Sequence, residues 1–143
     1  PMLQHKKTRF LPYAPGQLYA LVLDIERYPE FLPWCVAARI TARDTAMVKA
    51  DLIVGYKALR ETFTSHVTLT PNRKLEVTYI SGPLKQLSNI WRFDQAPAGC
   101  NLGFELTFSF KNALLASLFE RFFEQALLRM AAAFEARAKA LYG

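Results

Sequence analysis

The C-terminal stretch from Asn112 to Tyr142 constrains this chain most. Leu115, Phe119, Phe122, Phe123, Ala126, Met130, Ala133 and Phe134 recur at three- and four-residue steps, the period of one helical face. Leu118 and Leu127 sit near the edges of that face, and Glu120, Arg121, Glu124, Glu135 and Lys139 fall mostly opposite. The spacing predicts one long helix, with Asn112 as its N-terminal cap. Its apolar arc covers roughly half the circumference, wider than a coiled-coil seam. Such a helix needs a broad, concave partner.

The sequence ahead of it supplies one, because its hydrophobic period is two. Val36, Ala38 and Ile40 alternate with Ala37, Arg39 and Thr41. Val48, Ala50, Leu52, Val54 and Tyr56 form the next set, followed by Phe63, Val67 and Leu69, then by Leu75, Val77 and Tyr79. Leu87, Trp91 and Phe93 mark another strand, and Leu102, Phe104, Leu106, Phe108 and Phe110 give the cleanest alternation. Turns are expected at Asp44, at Pro71-Asn72-Arg73, at Ser81-Gly82-Pro83 and at Ala96-Pro97-Ala98-Gly99. Hairpin spacing throughout implies an antiparallel meander with one apolar face. His5 to Leu11 is expected to join it as a first strand. After that strand, Pro15 suits the first turn of a helix carrying Leu18, Leu21, Val22 and Ile25. A second short turn runs from Arg27 to Phe31. The expected fold class is α+β: a curved antiparallel sheet of about seven strands around the C-terminal helix, with two short helices after the first strand. No linker, repeat or low-complexity tract interrupts residues 1–143, which read as a single domain.

Tyr28-Pro29-Glu30-Phe31-Leu32-Pro33-Trp34-Cys35 holds four large apolar side chains stiffened by two prolines. It is too short and broken for a core helix. It reads either as a hydrophobic plug at one end of the domain or as the rim of an apolar cavity, or a patch touching membrane. Between sheet and helix, a fully packed core and a ligand space are both compatible with the pattern.

The chemistry-bearing residues are few. No glycine-rich phosphate loop is present, and Cys35 and Cys100 lack metal-like spacing, so both read as reduced, small apolar residues. His5 lies near the start of the sequence, and His66 lies on the polar phase of its strand, as a surface residue. Asp51 and Glu105 fall opposite the main apolar set and are expected to point outward, paired with basic neighbours. Arg129 and Arg137 project close to the apolar side of the long helix, where each must reach solvent or an acceptor. Two readings stand for Arg129: a rim or ion-pair position, or a donor to a polar head group at a cavity mouth. The net charge of +6 makes anionic partners plausible, acidic membrane and RNA among them. No stretch resembles a signal peptide, and no uncharged apolar run is long enough to span a bilayer. Membrane contact is therefore expected to be peripheral.

The run Arg27-Tyr28-Pro29-Glu30-Phe31-Leu32-Pro33-Trp34-Cys35-Val36 resembles the coenzyme Q-binding branch of the START-like superfamily, which in bacteria also carries the names ribosome-association toxin and polyketide cyclase-like. The resemblance continues through Ala50–Tyr56, Glu61–Ser65, Gly82-Pro83-Leu84, Trp91-Arg92-Phe93 and Arg129–Ala138, nearly the whole chain. It implies a helix-grip fold with a tunnel for ubiquinone or a related polyisoprenoid lipid. It further implies a lipid chaperone supporting quinone biosynthesis and respiratory electron transport, not an enzyme. No cofactor is then required, and ubiquinone is the bound ligand. The implied setting is the cytoplasm, at the inner membrane surface, or the mitochondrial inner membrane in a eukaryote. The tunnel is expected to be lined by Leu52, Val54, Phe63, Val67, Val77, Trp91, Phe104, Leu106, Phe119 and Phe122. Tyr28, Phe31, Leu32, Trp34 and Arg129 are expected at its cavity end or rim, and Lys6, Lys7, Arg27 and Lys85 to favour anionic lipid.

Three classes of function follow. A carrier takes up an apolar ligand. A ribosome-binding regulator blocks subunit joining, which the positive charge permits although no stacking-aromatic and basic pattern of an RNA surface is present. A cyclase- or hydrolase-like enzyme would need an acid–base pair on the apolar phase, and the sequence offers none.

Overall fold

Alternation of side chains along each strand builds a single seven-stranded antiparallel sheet in the computed structural model, which describes residues 2–143. The strands are β1 (Leu3–Leu11), β2 (Cys35–Arg43), β3 (Met47–Tyr56), β4 (Leu59–Thr70), β5 (Lys74–Ser81), β6 (Leu84–Ala96) and β7 (Gly99–Phe110). Their spatial order, β1-β7-β6-β5-β4-β3-β2, is a continuous meander from β2 to β7, with β1 closing beside β7. Helix α1 (Pro15–Leu23) and a 3-10 helix (Ile25–Glu30) follow β1, and α2 (Ala113–Glu120) and α3 (Phe123–Tyr142) end the chain. The expected α+β helix-grip architecture is therefore present, with two short helices after the first strand.

Cross-strand register sorts the side chains. Val48 faces Val67, Val67 faces Val77, Leu75 faces Trp91 and Trp91 faces Phe104. Directly opposed residues share a face, so these form one continuous concave apolar surface. The other face is polar. There Asp51 accepts a hydrogen bond from the Thr64 hydroxyl at 2.7 Å and lies 3.6 Å from Arg39, while Glu105 lies 3.1 Å from Arg92 and 3.8 Å from Lys6. Both carboxylates are thus outward and paired, as alternation implied. The buried core sits at one end, where Leu18, Tyr19, Leu21 and Val22 of α1 meet Leu75, Phe93 and Cys100 of the sheet.

Two expectations change. The predicted single C-terminal helix is two. The Asn112 side chain caps α2 by accepting from the Leu115 amide at 2.9 Å, but the helix breaks at Arg121–Phe122 and restarts as α3. No proline or glycine marks the break, so the 3.6-residue period runs through it unaltered. The break comes where α2 turns aside to lie against the end of β7, with Phe119 stacked on Phe110 at 5.1 Å. Val36 also leaves its expected phase. A bulge between Cys35 and Ala37 shifts the register to β3, and Val36 is 49% exposed. It comes to lie over Gly55, where a Cβ would sit 2.7 Å from the valine methyl. Bulges of this kind add curvature and re-aim one side chain.

The segment from Tyr28 to Trp34 is fastened to α3 rather than hinged. The buried Tyr28 hydroxyl donates to the Val22 carbonyl, and burial raises its phenol well above the usual value. Glu30 receives Arg27 at 2.8 Å and Arg137 at 3.0 Å, and Arg137 also covers the Phe31 ring at 5.1 Å. Hydrogen bonding from Arg27 first, and then from Arg137, holds the Glu30 carboxyl below its ordinary value of 4.5. A depressed carboxyl contributes stability above its unfolded value and loses it as pH falls through its folded one. Thermal melts between neutral and acid pH are expected to show Glu30→Gln less stable than wild type at neutral pH. The two should converge once pH drops below the normal glutamate range. Parallel curves at every pH would mean that the clamp contributes nothing through charge.

Candidate ligand-binding cavity

A space remains between α3 and the concave sheet. Its volume is about 430 Å³, inside the ~300–1,000 Å³ range of ligand pockets. The strands contribute Leu52 and Val54 from β3, Phe63 and Val67 from β4, and Val77 from β5. Trp91 of β6 and Phe104 and Leu106 of β7 complete the concave wall. Tyr28 and Leu32 close the end nearest α1, and Met130 and Phe134 form the roof. Ten of the fifteen residues singled out from sequence are thus brought together around one space.

The other five lie outside it. Phe119 and Phe122 are 55% and 64% exposed, because the break between α2 and α3 takes them out of the cavity, Phe119 to the end of β7 against Phe110. Phe31 packs behind the end wall, edge-on to Tyr28 at 5.9 Å and Phe134 at 5.4 Å. Trp34 adopts a φ of 66°, a left-handed conformation that costs a bulky residue about 1–3 kcal/mol. Its carbonyl accepts from the Gly55 amide at 2.8 Å, and its ring lies under Arg129 at 5.2 Å. Arg129 is therefore spread over an aromatic face at the outside of the segment, and the 28–34 run acts as a plug stapled to α3 by two arginines.

An aromatic cluster fixes the inner end of the cavity. Phe134 packs edge-on against Tyr28 at 5.5 Å, Phe31 at 5.4 Å and Trp91 at 5.2 Å, and Trp91 meets Phe104 at 4.8 Å. Trp91 is oriented by its indole N–H, which donates to Asn89 Oδ1 at 2.8 Å, while the Asn89 amide donates to the Glu105 carbonyl at 2.9 Å. The polar atoms on the wall are largely consumed in this way. The Tyr79 hydroxyl donates to the Leu84 carbonyl at 3.0 Å and accepts from the Leu84 amide at 2.9 Å.

Sequence reasoning missed the wall made by β1. His5, Lys7, Arg9 and Leu11 all line the cavity. They pair in register with Leu106, Phe104, Leu102 and Cys100, so they share the concave face. The signal was available as the period-two phase ending in Leu11, but three polar residues occupy that phase, and no face was assigned to the strand. His5 sits between Phe104, at 6.1 Å, and Phe123, at 6.4 Å. His66 stays on the opposite face, in register with Lys49 and Thr78.

The arrangement suits holding an apolar molecule more than transforming one. The single carboxylate on the wall, Glu135, is bound by Arg9 Nε at 2.8 Å. Burial pushes the Cys35 and Cys100 thiols up, away from thiolate character. Among the described residues no cluster of three His, Cys, Asp or Glu side chains is arranged to hold a metal ion, and no helix is long and apolar enough to cross a membrane.

Comparison with known proteins agrees with this geometry. The chain is 39% identical over 142 residues to the ribosome association toxin RatA of Rickettsia prowazekii, covering 96% of this chain and 97% of that one. It is 28% identical to the mitochondrial coenzyme Q-binding protein COQ10 homolog B of Xenopus laevis, covering 99% of this chain and 60% of that protein. A START superfamily protein from Mycobacterium smegmatis superposes with a TM-score of 0.81 at 19% identity, over 96% of this chain and 98% of that one. Residues 11–135 match the family model described as polyketide cyclase / dehydrase and lipid transport. The grip of α3 over a walled apolar cavity is the fold of that START-like family, and this chain belongs to it.

Proposed function

We propose that this chain is a carrier that holds a polyisoprenoid lipid, ubiquinone or a relative of it, between its sheet and α3. In this reading it supports quinone biosynthesis and respiratory electron transport, and the lipid is cargo rather than a cofactor. The observation that carries the proposal is the cavity of about 430 Å³ walled by apolar side chains from five consecutive strands. Each methylene-sized group buried there gains ~0.8 kcal/mol, and an isoprenoid tail has many. The amphibian relative is named as a coenzyme Q-binding protein, which favours the same ligand class. The engaged state of Glu135 and the raised thiols favour binding over catalysis.

Peripheral membrane contact fits the outer surface of α2. Leu114, Leu118, Phe119 and Phe122 are 52–72% exposed, with Lys111 and Arg121 beside them. Apolar side chains flanked by cations suit the surface of an anionic bilayer, at the inner membrane of a bacterium or mitochondrion. In this reading the contact lies on α2 and the adjoining Phe122, not on the 28–34 segment.

The bacterial relative's name supports a second reading, in which a ribosomal subunit is the partner. The net charge of +6 suits it.

Mass spectrometry of an organic extract of protein purified from quinone-producing cells is expected to give ubiquinone in stoichiometric amount. Val77→Phe, which fills the cavity from β5, should lose most of it while still folding. A wild-type protein that is empty, and that takes up no added quinone, overturns the carrier reading. In vesicle flotation, protein is expected to rise with vesicles containing phosphatidylglycerol and less with pure phosphatidylcholine. Phe119→Ser combined with Phe122→Ser should lower the bound fraction severalfold, and unchanged binding removes α2 from the contact. For the second reading, co-sedimentation with purified ribosomal subunits at low salt, lost at raised salt, is the expected result. Absence from the subunit fraction at low salt ends it.

A further inference from the structure

The cavity meets solvent at one recognisable place. Its exposed lining residues are Lys7, Arg9 and Ala131, which lie along β1 and the facing side of α3. The mouth is therefore the gap between the edge strand and the helix. It is bounded by His5, Lys7 and Arg9 on one side and by Leu127, Ala131 and Glu135 on the other.

Charge is unevenly distributed there. Arg9 and Glu135 neutralise each other across the gap at 2.8 Å. Lys7 has no salt-bridge partner among the described residues, while its neighbour Lys6 points to the opposite face and reaches Glu105 at 3.8 Å. One uncompensated ammonium thus stands at the entrance of an otherwise apolar space, in register with Phe104. The His5 ring offers hydrogen-bonding nitrogens one residue pair toward the start of α3, between Phe104 and Phe123. A lysine stem can lie along the apolar wall while its charge stays at the water edge. Any hydrogen bond from the ammonium is charge-assisted, and an anionic acceptor adds charge–charge attraction that a neutral carbonyl or hydroxyl lacks, so the entrance favours an anion.

Resting on the lipid-binding reading of the same cavity, the geometry points to an amphiphile with an acidic head group, a carboxylate or a phosphate, as the preferred ligand class. The head sits at Lys7 and His5, and the tail runs inward toward Phe63, Val77 and Trp91. A prenylated or fatty acid fits this description, and a neutral quinone gains the apolar contacts and a hydrogen bond but not the charge pairing.

Titration calorimetry of the purified protein with dodecanoate, dodecyl phosphate and dodecanol, each below its micellar concentration, tests the inference. At least one acidic ligand is expected to bind about tenfold tighter than the alcohol, the factor that corresponds to 1.4 kcal/mol, and the tighter of the two identifies the head group. Lys7→Gln should bring the acid-to-alcohol ratio close to one, and Lys6→Gln should leave the ratio unchanged. Equal wild-type affinities, or a ratio untouched by Lys7→Gln, overturn the head-group inference and leave Lys7 as a charge that protects a sheet edge. An equal effect of Lys6→Gln overturns it too, by assigning the preference to general surface charge. Binding of none of the three ligands overturns this inference, while the carrier reading stands or falls on the quinone extraction and uptake.

Discussion

The rest of the structure depends on how α3 is held above the sheet. Its inner end is fixed by Phe134, which meets Tyr28, Phe31 and Trp91 at ring distances between 5.2 and 5.5 Å. Edge-to-face aromatic pairs contribute about 0.5–1.5 kcal/mol each beyond the area they bury. Away from that cluster, the Arg9–Glu135 ion pair spans the gap between β1 and α3 at 2.8 Å. A helix pressed onto the sheet along its whole length would leave a core. A helix fixed at its inner end and bridged by an ion pair, Arg9 with Glu135, leaves a cavity with an edge that faces water.

The same arrangement assigns different work to the two ends of the molecule. Near α1, Leu18, Leu21 and Val22 meet Leu75 and Phe93 in dense packing, and the plug from Tyr28 to Trp34 is tied to α3 by Arg129 and Arg137. The strained backbone of Trp34 is retained because the surrounding contacts over-determine it. At the far end, α2 peels off against β7 and leaves leucines and phenylalanines in solvent. A binding protein needs both properties: a rigid end that keeps the cavity's shape, and a less committed end where a surface or a ligand can be met.

Much of this was legible in the chain. Period-two alternation located β2 to β7, and Leu52, Val54, Phe63, Val67, Val77, Trp91, Phe104 and Leu106 all lie on its apolar phase, with the tunnel they line implied by the resemblance. Val36 failed because a bulge inserts one residue and inverts the phase, which composition does not signal. Phe119 and Phe122 failed because helical periodicity is blind to a break that contains neither proline nor glycine. His5, Lys7 and Arg9 were missed for the opposite reason. Their phase was right, but no face was assigned to a strand with polar residues in that phase, and their concave orientation follows from pairing with β7.

The sequence by itself determined the strands, the faces of most of them and the family, because these rest on local period and on motif residues carried along one chain. Only the tertiary structure decided that the space under α3 is open, that it opens beside β1, and that Arg129 braces Trp34 outside it. Those outcomes depend on the distance between elements far apart in sequence. That distance is set by the sum of side-chain volumes across the gap, with Phe134 and the Arg9–Glu135 pair as its spacers, and no single residue's chemistry announces it.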